Sequence, residues 1–206
     1  MELRRHGDAG AGAWPSMASQ FKIIMTLRCA ILAFGFLFST AAASADSASS
    51  KLIDQMQGVY KHRFANAVYV GEGKPDEPYQ SEDIVEIVRY DDERIYFRAE
   101  LQFYNGHTCS ISGIAKYDQG HFVYRDPQAP LPGEAPCTMS ISTNAGQLSL
   151  TDRINGSASC HPGHCGARGS LSDYTIPTSA KRNIRYMDRL KASTEYKQAV
   201  DELHTK

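Results

Sequence analysis

In residues 94–104, RIYFRAELQFY, every second side chain is apolar, and the side chains between them are charged, polar or tyrosine. Alternation of this length predicts a β-strand with one buried face, because successive side chains of a strand point to opposite sides. Asn105-Gly106 follows directly, and this pair is a strong hairpin signal since both positions of the tight turn must adopt positive φ. The expected buried face takes Ile95, Phe97, Ala99, Leu101 and Phe103.

The same period of two continues on both sides of this hairpin, between short turn signals. Asn144-Ala145-Gly146 and Asn155-Gly156 are two of those signals, and the proline-rich stretch 126–136 predicts an extended surface loop. About eight strands at short spacing predict an all-β chain that closes into an antiparallel barrel or packs as a sandwich. The further predicted strands are 58–70, 82–90, 107–117, 121–126, 137–143 and 147–152.

The C-terminal part of the chain changes to a helical period. Within 179–204, apolar residues recur at Ile184, Met187 and Leu190, and then at Tyr196 and Val200. This spacing predicts one or two amphipathic α-helices after the barrel, with Ser193-Thr194 either capping a second helix or kinking a single one.

The N-terminal part has the pattern of an export signal. Arg28 precedes an apolar run that ends in Ala43-Ser44-Ala45, the small-residue pattern of a cleavage site. A retained membrane anchor is the alternative, although the run is short for a span. We therefore expect an N-terminal extension and signal peptide at 1–45, a barrel-like domain at 46–177, a helical segment at 178–206, and a periplasmic or secreted protein.

Four cysteines remain once Cys29 leaves with the signal, and an even number in an exported chain indicates disulfides. Four cysteines allow three pairings. We expect Cys160 to pair with Cys165 across a tight turn, which leaves Cys109 for Cys137.

That turn is His161-Pro162-Gly163-His164, inside the stretch SASCHPGHCGARGS at 157–170. Proline fixes φ at the second position of a type II turn, and glycine supplies positive φ at the third. On this interpretation the two histidines are exposed loop residues. A zinc site built from Cys160, His161, His164 and Cys165 is an alternative. A covalent haem site lacks the histidine that should follow Cys165, and a redox dithiol lacks the usual spacing of two.

Arg168 follows the turn between Gly166 and Gly169. The expected disulfide on one side and a strand on the other would hold its guanidinium in a fixed place, where its donors suit a carboxylate. An internal salt bridge is the alternative role. The residues that we expect at a partner interface are His161, His164, Arg168 and Ser170.

Gly58-Val59-Tyr60 at the start of the first strand, the hairpin meander and the terminal helix resemble lipocalin-like barrels, although Tyr60 stands where those proteins carry Trp. The size, signal and cysteines also resemble the periplasmic lysozyme inhibitors, which insert a polar or basic loop into the lysozyme cleft. By this resemblance, 160–170 would be the inserted loop. An uncharacterised exported family with the same cysteine-glycine-arginine run is a further alternative.

We therefore expect a non-catalytic binding protein without a cofactor. The resemblance to the lysozyme inhibitors implies a lysozyme-type target with an acidic cleft. The sequence contains no recognisable catalytic motif. A formal net charge of −1 without a basic stripe argues against binding to nucleic acid. Membrane contact is expected only through an uncleaved signal. The alternatives are the metal site above and a barrel that holds a small apolar ligand, lined by Tyr60, Phe64, Phe97, Phe103 and Phe122.

Overall fold

The structure is a computed structural model that describes residues 41–130, 132–154 and 156–205. The described residues from Ser44 onward belong to one compact unit. The expected export signal at Arg28 and the apolar run up to residue 40 lie outside the described residues, as does Asn155 of the last predicted turn. Among the described helices, none combines the length and the hydropathy needed to cross a membrane.

Nine strands form one antiparallel sheet that curls into a nearly closed barrel, as the alternation predicts. The strand order is β10-β7-β6-β5-β4-β3-β2-β1-β11, and β8 and β9 form a separate two-stranded ribbon. The strands are β1 (Gly58–Val68), β2 (Glu77–Arg89), β3 (Arg94–Gln102), β4 (Thr108–Asp118), β5 (His121–Arg125), β6 (Thr138–Asn144), β7 (Gln147–Thr151), β8 (Arg153–Ile154), β9 (Ser157–Ala158), β10 (Tyr174–Pro177) and β11 (Lys181–Arg182).

The turn chemistry explains where these strands reverse. Asn105 and Gly106 have φ of 61° and 70°, in the loop that joins β3 to β4, as their identities predict. Ala145 and Gly146, at φ of 48° and 77°, close the two-residue turn between β6 and β7. The two edge strands of the sheet, β10 and β11, are separated in sequence only by the short 3₁₀ turn Thr178–Ala180. This short connection brings the two edges of the sheet close together.

Apolar side chains fill the interior of the barrel. The expected inward set of β3 is confirmed at Ile95, Phe97, Ala99 and Leu101, each 0% exposed. The N-terminal helix α1 (Ala41–Met56) adds Ile53 and Met56 to the same cluster. The Tyr60 hydroxyl donates a hydrogen bond to the Met56 carbonyl at 2.7 Å, which joins the helix to the first strand.

The C-terminal helices pack on the outer face of the sheet. They are α2 (Met187–Lys191) and α3 (Thr194–His204), where Leu190 and Ala199 cover Val88 and Tyr96. Ser193 caps α3, because its hydroxyl accepts a hydrogen bond from the Tyr196 amide at 3.2 Å. The helical part of 179–204 begins later than expected, at Met187. Before it, Lys181–Arg182 form β11, whose residues pair with Val59 and Tyr60 of β1.

Candidate functional site

The four cysteines that the structure describes form two disulfides, as their even number predicts, but the expected pairing is wrong. Cys109 bonds to Cys165, and Cys137 bonds to Cys160. The segment 160–165 is therefore fixed at its two ends to two different strand regions. The expected disulfide between Cys160 and Cys165 does not form.

The turn inside this segment nevertheless has the predicted geometry. Pro162 has φ −62° and ψ 131°, and Gly163 has φ 80° and ψ −20°, which are the dihedrals of a type II turn. Cys160 on one side adopts φ −106° and ψ 0°, so it does not continue a strand. Cys165 on the other side forms an antiparallel bridge with Cys109 at the start of β4. Local turn chemistry therefore holds, while the partner of each cysteine is set by the barrel.

The Cys109–Cys165 disulfide fixes the residues that follow it. The Gly166 amide donates to the Thr108 carbonyl at 2.8 Å, and the Gly169 amide donates to the Gly166 carbonyl at 2.9 Å. Gly169 is buried against the bond itself, since a Cβ at this position would lie 2.5 Å from the Cys109 sulfur. The loop therefore packs directly on the disulfide.

Arg168 projects from this loop and is exposed. Its guanidinium carbon lies 5.7 Å from the centroid of the Tyr104 ring, within the range of a cation–π contact. Among the residues that the structure describes, no carboxylate lies within 4.0 Å of this guanidinium, so the internal salt bridge that was the alternative role is not formed there.

Tyr104 joins Arg168 to an exposed apolar stretch. The Tyr104 hydroxyl donates to Asp76 at 2.7 Å, and this hydrogen bond is the main reason why the pKa of Tyr104 is raised above its ordinary value. The Tyr69 amide donates to the Asn105 side chain at 3.1 Å, which places the end of β1 beside the same turn. We call the resulting group the Arg168 surface; it comprises Val68, Tyr69, Val70, Tyr104 and Arg168.

The two histidines do not behave as expected. The side chain of His164 is only 18% exposed, with Nε2 2.8 Å from Oδ2 of Asp126 and Nδ1 3.3 Å from the Ser110 carbonyl oxygen. His161 is half-buried, so the expectation that both rings are exposed is wrong. Ser170 is exposed, and its hydroxyl accepts a hydrogen bond from the Ser172 amide at 3.1 Å.

The alternative zinc site at 160–165 does not form in this structure, because its two sulfurs, those of Cys160 and Cys165, are bonded to Cys137 and Cys109. A different group lies together. One ligand atom each of Asp126, Cys137 and His164 lies within 4.8 Å of the other two. Sequence reasoning missed Asp126, which sits at the start of the proline-rich loop, 38 residues before His164. An Asp-Pro pair at the end of a strand carries no metal signal by itself.

The five aromatic residues proposed to line a ligand cavity are divided between core and periphery. Tyr60, Phe97 and Phe122 are 0% exposed and belong to the interior cluster, whereas Phe64 and Phe103 are half-buried. Phe97 meets Tyr124 edge to face at 5.3 Å between ring centroids. These rings contact other side chains of the core, and the ligand-binding interpretation stays a prediction.

The fold and these contacts define a disulfide-bonded β-barrel with a basic loop fixed at one end. Comparison of the chain with known protein families, with curated proteins and with solved structures finds no match.

Proposed function

We propose that this protein is an exported, non-catalytic binding protein that docks on a partner protein through the Arg168 surface. The observation that carries the proposal is the packing of Gly169 against the Cys109–Cys165 disulfide, which holds Arg168 over the Tyr104 ring. The loop is tied by hydrogen bonds at Gly166 and Gly169 as well.

A fixed loop favours binding because less conformational entropy is lost when it docks. Tyrosine and arginine are also the residue types that most often dominate the energy of protein interfaces. Tyr69 is 53% exposed, and it lies between two further exposed apolar residues, Val68 and Val70. The surface thus combines an available guanidinium with apolar area around it.

The partner chemistry follows from Arg168. A guanidinium presents donors in a planar fork that matches a carboxylate, so an acidic cleft on the partner is the complementary surface. Two disulfides are consistent with an oxidising compartment such as the periplasm or the outside of the cell. A lysozyme-type enzyme, which has an acidic cleft and acts in that compartment, is the target that we propose.

The experiment is a lysozyme turnover assay with wild-type protein and the Arg168→Ala variant. We expect inhibition at micromolar wild-type protein and at least a tenfold loss of potency in the variant, about 1.4 kcal/mol of binding free energy. Arg185→Ala is the matched control, because Arg185 is exposed and follows β11, which pairs with the opposite end of β1.

Equal loss of potency in both arginine variants would show that general charge, not the Arg168 surface, is responsible. Absence of inhibition by the wild-type protein at micromolar concentration contradicts the proposed target.

A further inference from the structure

Asp126, Cys137 and His164 converge beside the second disulfide, outside the Arg168 surface. Asp126 and His164 are 8% and 18% exposed at their side chains, and Cys137 is buried. A carboxylate, an imidazole and a thiolate are all ligand types that zinc accepts in tetrahedral sites. While Cys137 is bonded to Cys160, however, its sulfur is not a thiolate and cannot serve as a strong ligand.

We propose that Asp126, Cys137 and His164 form a Zn²⁺ site that becomes available when the Cys137–Cys160 disulfide is reduced. Zinc bonds of about 2.0 to 2.3 Å at tetrahedral angles place neighbouring ligand atoms about 3.5 Å apart. The three ligand atoms already lie within 4.8 Å of one another, so shifts of about 1 Å complete the geometry.

The groups around the ligands support the same assignment. A histidine that binds a metal usually donates its other ring N–H to a carbonyl or carboxylate, which fixes the ring. The Nδ1 of His164 faces the Ser110 carbonyl at 3.3 Å, which leaves Nε2 for the metal in place of its contact with Asp126.

Asp126 is oriented in a comparable way. Its Oδ1 accepts a hydrogen bond from the Gln128 amide at 2.9 Å, so Oδ2 is the oxygen directed at His164. The Asp126 amide also donates to the Cys137 carbonyl at 3.0 Å, which sets the carboxylate beside the sulfur through the backbone. Two of the three ligands thus have independent support for their orientation.

The redox step is an ordinary thiol–disulfide exchange with a dithiol as reductant. The dithiol supplies two electrons and two protons, the Cys137–Cys160 bond breaks to two thiols, and the dithiol becomes a disulfide. On metal binding, the Cys137 thiol releases its proton to solvent, and the thiolate donates an electron pair to zinc. The open cleft lined by Asp126, Glu134, Cys137 and His164 leaves a fourth position to water.

The Cys160→Ser variant tests this site without a reductant, because it frees Cys137 and leaves Cys109–Cys165 intact. The backbone at Cys160 is held independently of its sulfur, since its amide donates to the buried carboxylate of Asp152 at 2.9 Å. We expect this variant to bind one Zn²⁺ per chain in equilibrium dialysis. Cobalt in place of zinc should give the near-ultraviolet absorption of a thiolate–cobalt bond.

Two matched variants locate the ligands. Cys137→Ser/Cys160→Ser should lose the thiolate–cobalt band, and Cys160→Ser/His164→Ala should bind zinc at least tenfold more weakly. Retention of full affinity in both double variants, or failure of folded Cys160→Ser to bind zinc, overturns the proposal.

The wild-type chain supplies a second measurement that does not depend on the variant's folding. After reduction with dithiothreitol and its removal, we expect Zn²⁺ to slow re-formation of Cys137–Cys160 at least tenfold while Cys109–Cys165 re-forms at its zinc-free rate. Peptide mapping at timed intervals distinguishes the two bonds. Equal slowing of both bonds, or of neither, contradicts a site at Cys137.

Discussion

The two disulfides hold the two ends of one short segment, 160–165, and yet they have different surroundings. Cys109–Cys165 packs against Gly169 and supports the loop that carries Arg168. Cys137–Cys160 lies beside the Asp126–His164 pair and an open cleft. The first bond is therefore part of a packed surface, while the second lies next to the carboxylate and imidazole of the proposed zinc site.

This difference separates two consequences of opening a disulfide. Loss of Cys109–Cys165 removes the support under Gly169 and should release the loop. After loss of Cys137–Cys160, the Cys160 amide still donates a hydrogen bond to the Asp152 carboxylate. Asp152 is 1% exposed and also accepts a hydrogen bond from the Ser172 hydroxyl at 2.6 Å. The Arg168 surface should therefore need an intact Cys109–Cys165 bond, whereas the proposed zinc site needs the Cys137–Cys160 bond to be open.

The largest effect is expected from Cys109→Ser/Cys165→Ser. The bond spans 56 residues of sequence, and the chain-entropy relation gives about 4 kcal/mol of stabilisation for a loop of this length. We expect the free energy of unfolding in urea to fall by about that amount. The Gly166 and Gly169 amides should also exchange faster with solvent, because the loop loses its support. Unchanged exchange at both amides would contradict the role assigned to this bond.

Opening the other disulfide with Cys137→Ser/Cys160→Ser should cost somewhat less. This bond spans 23 residues of sequence, for which the same chain-entropy relation gives about 3.5 kcal/mol of stabilisation. Here we expect hydrogen exchange at Gly166 and Gly169 to match the wild type, since these amides are bound to Thr108 and Gly166. Faster exchange at these positions would show that both bonds support the loop.

A single methyl group tests the packing against the first disulfide more finely. Neither Gly166 nor Gly169 has positive φ, so alanine adds no left-handed backbone strain at either position. The Cβ of Gly169→Ala would lie 2.5 Å from the Cys109 sulfur, whereas that of Gly166→Ala would lie 3.1 Å from the movable ring of His107. We expect Gly169→Ala to lose about 2 kcal/mol of stability by overpacking, and Gly166→Ala less than about 1 kcal/mol.

Urea unfolding of the two glycine variants side by side measures this difference. Equal losses would mean that the disulfide yields to the added methyl group as readily as the histidine does, and the loop would then be less rigid than proposed.

Much of the barrel could be predicted because strand signals are local. Alternation and turn residues lie within a few positions of each other, so the segments around Asn105-Gly106 and Ala145-Gly146 were recognisable from sequence. The short strands β10 and β11 were missed, since four and two residues are too few to show a period. The start of β2 at Glu77 was missed because its first residues, through Gln80, are mostly polar or proline.

The site was less accessible to sequence reasoning because its contacts are long-range. The type II turn at Pro162-Gly163 depends on those two residues, and it is confirmed. The pairing of the flanking cysteines depends on which strands lie nearby, and spacing along the chain says nothing about that. The contact between His164 and Asp126 likewise joins residues that lie 38 positions apart, so local sequence patterns do not predict it.

The smallest effect concerns the ring beneath Arg168. Tyr104→Phe removes the hydrogen bond to Asp76 but keeps the aromatic face, whereas Tyr104→Ala removes both. An exposed cation–π contact contributes about 0.5 to 1 kcal/mol, so Tyr104→Ala should weaken partner binding about threefold and Tyr104→Phe should leave it nearly unchanged. The side-chain NMR signal of Arg168 provides a check without a partner: its ring-current shift should persist in Tyr104→Phe and vanish in Tyr104→Ala. If the shift vanishes in both variants, the hydrogen bond to Asp76 positions the ring, and the Arg168 surface depends on Asp76 as much as on the disulfide.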